Sequence, residues 1–210
     1  ISKDGILNPS PFSWFNAFGS NPPTVVISTS RRVRDSSLKD TYRNLVDTRE
    51  CVINAVTFDM VQQVSLASTD YAPDIDEFIK SGLTPLPSEI VKARRVNESP
   101  FQMECTVTQI IEAGNGPGAG NLFVCEVVRF HLDERITEGG IIRPQLADFV
   151  ARSSANYYIR ASGNAIFEVP KPLDRTGMGF DNLPDYLKRS HILTANNLAQ
   201  LANCESMPSA

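Results

Sequence analysis

Two runs rich in β-branched and aromatic residues, 101–111 and 122–132, flank the segment AGNGPGAGN, and no other feature restricts the fold of this chain as strongly. Gly114, Gly116 and Ala119 formally satisfy a dinucleotide-binding pattern. Such a turn leads from a strand into a helix, whereas here both flanks are β-like and Pro117 lies between them. The spacing therefore predicts a long antiparallel hairpin with a flexible connection and no separate nicotinamide-binding domain. Shorter β-like runs at 24–28, 51–55 and 157–160 extend this to a mainly antiparallel barrel. Apolar spacing of helical period occurs at 38–49, where Leu38, Tyr42, Leu45 and Val46 share a face, and less cleanly at 59–68. With shorter candidates at 76–80 and 144–150, helices are expected in the connections.

Near the start, NPSPFS places Pro9 and Pro11 two residues apart. In an extended chain both missing N–H groups fall on one edge, so the segment is expected to be an edge or interrupted strand. The amides of Ser10 and Phe12 are then free to pair with backbone or with the carbonyls and ring nitrogens of a ligand. Further along, Ser28, Thr29, Ser30, Arg31 and Arg32 end a short β run, and Ser36, Ser37, Lys39, Asp40 and Thr41 open an amphipathic stretch. Forked guanidinium, point charge, hydroxyls and the first turn of a helix starting near Asp40 are the chemistry that phosphate needs. A solvated basic turn followed by an ordinary helix cap explains the same residues without a ligand.

Taken together these pieces resemble the flavin reductase-like family with the FMN-binding split-barrel fold. The matching residues are Gly5, Asn8, Ser10, Pro11, Phe12, Ser13, Phe15 and Asn16, then Asn21, Pro22 and Pro23, then Lys39, Asp40, Thr41, Arg43 and Asn44. Glu50 to Asn54, Asp76-Glu77-Phe78 with Gly82-Leu83, Glu104-Cys105 and Cys125-Glu126-Val127 continue the pattern, which covers roughly residues 1–160. Two departures stand out. The family carries a strand ahead of the Asp4-Gly5 turn, so a piece before Ile1 is expected to be absent, processed or omitted, and Cys125 replaces a glycine.

The resemblance implies a mainly β, Greek-key antiparallel split barrel with α connections over 1–165, and the turn-rich then helix-spaced residues that follow read as a helical C-terminal extension, an arm or lid, over 166–210. It implies FMN as cofactor, held by Asn8, Ser10, Pro11, Phe12 and Ser13 at the ring and by Ser28, Thr29, Arg31, Lys39, Asp40 and Thr41 at the phosphate. Arg152 and Tyr157 match a further segment near the flavin, although Ser154 and Ala155 replace its glycines. Hydride would pass from NAD(P)H, as a transient substrate, to the flavin, with an oxygenase or other electron acceptor as partner and a homodimer as the working form. No catalytic acid or base and no metal is expected. An electron carrier with slow nicotinamide turnover, or a module of the same fold without cofactor, are the alternatives.

Composition limits the other classes. The formal charge of −4 over 210 residues argues against a nucleic-acid binder. No apolar run is long enough to cross a bilayer and no signal-peptide core is visible, so a soluble, cytoplasmic protein is expected. Cys51, Cys105 and Cys125 lie in β-like runs and read as buried free thiols, and with Cys204, His131 and His191 they offer no metal spacing. His131 reads as a satisfied strand histidine, and the Asn97-Glu98-Ser99 sequon carries no weight without a secretory route.

Overall fold

Residues 101–112 and 121–132 pair along their whole length, from Phe101 opposite Leu132 to Glu112 opposite Asn121, with the glycine-rich segment as the hairpin loop. In the computed structural model, which describes residues 1–173 and 175–208, this hairpin is the spine of a five-stranded sheet. The strands are β1 (Phe15–Ser20), β2 (Pro23–Ser28), β3 (Glu50–Asn54), β4 (Phe101–Glu112) and β5 (Asn121–Leu132). They run in the order β1-β2-β5-β4-β3, every pair antiparallel. The register shifts between Glu104 and Cys105 and again between Val107 and Gln109. Such bulges increase local twist, which lets two 12-residue strands coil rather than lie flat.

Alternation along the strands sends Val25, Ile27, Met103, Cys105, Val107, Phe123, Cys125 and Val127 into one core. Helix α1 (Asp40–Thr48) closes it with Leu45, which is 1% exposed, while the Tyr42 ring meets Phe123 edge-on at 5.6 Å. Val46 stays partly in solvent, so the helix buries a narrower stripe than its apolar spacing suggests. Arg49 ends α1 in the left-handed region and β3 begins at the next residue. A second core of Met60, Val64, Phe78, Leu83 and Val96 packs α2 (Val61–Leu66) against α3 (Glu77–Ser81). Asp76 caps α3 by accepting from the Phe78 amide at 2.8 Å, and Gly82 stops it at φ 69°.

Three local expectations change. Residues 9–13 form no strand, because the two prolines leave no continuous donor row, and the chain enters regular pairing only at Phe15. Strand β1 itself was not anticipated, since FNAFGS has no β-branched residue and every position is exposed. The helix expected over 144–150 stops at Ala147, and Val150–Arg152 instead pairs with Tyr158–Arg160.

The described chain divides into two units, Ile1–Ile166 and Phe167–Ala210. The second has its own small core of Leu183, Leu198 and Ala202, with helices at Asp185–Lys188 and Ala195–Ala202. A Cβ on Gly177 would stand 2.6 Å from the Ala202 carbonyl oxygen. Gly177→Ala is therefore expected to loosen this unit selectively, read as faster amide exchange in 195–202 while β4 and β5 keep their protection. Among the described residues no helix is long and apolar enough to cross a membrane.

Candidate functional site

The segment that precedes β1 runs over the joint between two cavities. The larger, about 760 Å³ and mostly apolar, is walled by Pro9 to Ser13, by Phe15 of β1, by β3 and by residues of both cores. The smaller, about 300 Å³, is lined by Arg32, Arg34, Lys39, Asp40, Asp70 and Glu77 among others. Asn8, Ser10 and Thr41 border both. Apolar and ionic spaces of different character thus meet along one short piece of chain.

Asn8 fixes that piece. Its amide nitrogen donates to Glu77 Oε2 at 2.6 Å, while its oxygen accepts from Thr41 Oγ1 at 2.8 Å and from Asn44 Nδ2 at 3.4 Å. One side chain therefore ties the N-terminal segment to α1 and α3. Beyond it, among the described residues, neither the Ser10 nor the Phe12 amide donates to a protein acceptor. Two main-chain donors remain available at the wall of an apolar cavity, the situation in which a bound carbonyl or ring nitrogen gains most.

The ionic crevice is built from neighbouring charges. Arg32 reaches Asp70 at 2.6 Å and the Leu38 carbonyl at 2.7 Å, and Arg34 reaches Asp70 at 2.5 Å. Lys39 is different: its Nζ stands 5.0 Å over the centre of the Phe12 ring, and no carboxylate lies within ion-pair distance among the described residues. Burial, helped by the nearby Arg32 charge, lowers its pKa from the usual lysine value. An incoming anion would restore what this ammonium lacks. Burial also raises the Glu77 carboxyl, against the pull of the Asn8 hydrogen bond and with the help of Asp40, Asp76 and Asp70, to about 7.

The structure separates the residues singled out in the sequence. Asn8, Ser10, Pro11, Phe12, Ser13, Thr41 and Arg152 line the large cavity, and Lys39 and Asp40 join Asn8, Ser10 and Thr41 at the small one. Ser28, Thr29, Arg31 and Tyr157 line neither. Thr29 is 1% exposed, and its amide and carbonyl both bond to Asn121. Arg31 turns to the Ser36 carbonyl at 3.2 Å and to Glu112 at 3.7 Å, and its neighbour Arg32 faces the crevice instead. Consecutive residues of an extended chain point to opposite sides, and residue identity alone does not say which. Tyr158 lines the cavity in place of Tyr157, for the same reason. Arg34 and Asp70 were not anticipated, and Glu77 was visible only as part of a motif.

Three of the thiols and one histidine are tied into the sheet. Cys105 and Cys125 are wholly buried and free; hydrogen bonding to Cys105 and then burial raise the Cys51 thiol pKa, and hydrogen bonding to Cys51 and then burial raise that of Cys125. His131 Nε2 lies 2.6 Å from Glu104 Oε1.

Comparison with known proteins places this geometry. A family model described as "Flavin reductase like domain" matches residues 2–149. The chain belongs to the flavin reductase-like family. An uncharacterized protein of Aquifex aeolicus is 34% identical over 170 residues, 80% of this chain and 84% of that one. Among solved structures, nitrilotriacetate monooxygenase component B from Bacillus cereus superposes with a TM-score of 0.73 at 29% identity, covering 80% of this chain and 83% of its own. Flavoredoxin of Desulfovibrio vulgaris gives 0.66 at 22% identity over 82% and 86% of the two chains. The coiled antiparallel sheet of this flavin reductase-like chain is thus the split-barrel fold of the family.

Proposed function

We propose that this flavin reductase-like protein binds FMN and works as an NAD(P)H-dependent oxidoreductase that supplies electrons to an oxygenase or another acceptor. The observation that supports it most is the sharing of Asn8, Ser10 and Thr41 between an apolar cavity and an ionic crevice. FMN has the matching parts, a flat tricyclic ring with one polar edge and a chain ending in a phosphate. The ring-side donors are the Ser10 and Phe12 amides, which lack protein acceptors among the described residues, and the phosphate-side groups are Lys39, Thr41 and Arg32. Similarity to an oxygenase component and to flavoredoxin supports the same reading.

When bound, the flavin supplies the chemistry, accepting a hydride from the nicotinamide and passing electrons on. The protein's own residues do other work. The Asn8 bonds to Glu77, Thr41 and Asn44 hold the donor segment in place before any ligand arrives. Leu7, Met60, Phe78 and Val96 keep water from the wall of the cavity. Arg152, whose guanidinium lies 5.9 Å from the Tyr158 ring centre, lines the same large cavity. We propose the homodimer as the working form.

Ser10→Pro is expected to release the flavin, because it removes one of the two ring-side amides. A variant that purifies with wild-type flavin content would show that this amide is not used. Stopped-flow mixing of the FMN-loaded protein with NADH and NADPH separates a reductase, which bleaches within its turnover time, from an electron carrier, which does not. Light scattering of the loaded protein tests the dimer, and a monomer that keeps its cofactor would contradict it.

A further inference from the structure

The ionic crevice is lined by three cations, Arg32, Arg34 and Lys39, and three carboxylates, Asp40, Asp70 and Glu77. With all six charged the sum is zero, a poor preparation for an anion. Asp70 is engaged by both arginines, and Asp40 is bonded by Arg43 at 2.8 Å and approached by Arg32 at 3.7 Å. Glu77 has no cationic partner within 4.0 Å among the described residues, and its one side-chain partner is the neutral Asn8 amide. It is therefore the one carboxylate of the crevice whose charge nothing nearby holds in place.

We propose that Glu77 is the positioning residue of the crevice that takes up a proton when a phosphate monoester is seated beside Lys39. The inference rests on the FMN reading above and adds a regulation to it. In its neutral form Glu77 still accepts the Asn8 hydrogen bond, so the donor segment stays placed, while the crevice changes from neutral to a net charge of +1. In its charged form it keeps Asn8 in place and repels the incoming phosphate. The proton comes from solvent and no bond other than the carboxyl O–H is made.

Of the groups that face Glu77, the carboxylates favour this direction and the cations oppose it. Lys39 and Asp40 lie at the start of α1, Asp70 and Tyr71 in the turn after α2, Arg32 and Arg34 on the loop after β2, and Asp76 on its own element. Burial and the three aspartates already raise the carboxyl to about 7, so a further anion acts on a group poised to protonate at neutral pH. Raising the pH through this range should therefore weaken binding of a phosphate ligand and leave a ligand without phosphate unaffected.

The test compares wild type with Glu77→Gln, which keeps an oxygen for Asn8 and cannot ionise. FMN and riboflavin are titrated from pH 6 to 8.5, and calorimetry in buffers of different ionisation heat counts protons. The FMN phosphate has its own second pKa of about 6, and this contribution cancels between the two proteins. On wild type the FMN dissociation constant is expected to rise roughly tenfold more across the range than on Glu77→Gln, the effect of a shift of about one pKa unit on binding. Wild type should also take up more protons per FMN than the variant at pH 7.5, and riboflavin should show no difference between them. Equal proton counts and parallel pH profiles for FMN would overturn the role of Glu77 while leaving FMN binding intact. An equal linkage with riboflavin would overturn the assignment to the phosphate. Absence of FMN binding by both proteins at every pH would overturn this inference together with the reading on which it rests.

Discussion

Glu104→Ala should destabilise the protein by about 3 kcal/mol at neutral pH, enough to lower the melting temperature of a chain this size by about 6–12 °C. Glu104 lies on β4 with no exposed surface, yet it is charged. Burial alone would raise its pKa, but the Glu89 amide at 2.8 Å, His131 at 2.6 Å and the Ile90 and Val91 amides at 2.7 and 3.0 Å outweigh it and hold the carboxyl at about 2. Alanine leaves those amides and the imidazole without their acceptor. Water can reach the exposed Glu89 and Ile90 but not the buried Val91, which keeps the loss near the lower end for a broken buried network.

The sign of the pH dependence follows from the lowered pKa. Stability due to Glu104 is fully present above the unfolded value of 4.5 and is lost as pH falls through about 2. The gap between wild type and Glu104→Ala in urea melts should therefore be widest above pH 5 and shrink steadily towards pH 2. A gap under about 1 kcal/mol at pH 7, or one independent of pH, would contradict the assigned network. There is a functional consequence as well. The anchored loop leads directly into Ala93, Arg94 and Val96, which line the large cavity, so its loosening should also lower affinity for a ring bound there.

Lys39→Ala combined with Thr41→Ala is expected to weaken FMN binding about 100-fold, from two charge-assisted contacts worth about 1.5 kcal/mol each. Riboflavin, which lacks the phosphate, should lose far less. Neither side chain belongs to a core, so the melting temperature should change little; the bond lost with Thr41 is one of three that hold Asn8. Fluorescence titration with both ligands reads the result. Equal losses for FMN and riboflavin would mean that the two residues act at the ring or on the fold.

The sequence showed most of the architecture because its strongest signals are local. The two long strands, the glycine hairpin and α1 each follow from a pattern within about a dozen residues. Strand β1 is not legible in the sequence because its place is set by pairing with β2, not by its own residues, all of them exposed. The candidate site was legible at Asn8, Ser10, Phe12, Lys39 and Thr41, where residue type and order carry the chemistry. Choosing Arg32 over Arg31, or Tyr158 over Tyr157, requires knowing which way an extended chain is turned. Glu77 and Asp70 join the crevice through tertiary packing alone, separated from Lys39 by 38 and 31 residues.

The most direct measurement is an absorbance and fluorescence titration of the full chain with FMN, with the near-ultraviolet and blue bands followed before and after denaturation. A donor edge at Ser10 and Phe12 beside an ionic crevice predicts saturable binding near one FMN per chain, with quenched flavin emission and a shifted band that returns to that of free FMN on unfolding. A spectrum that remains that of free FMN at every protein concentration would contradict it.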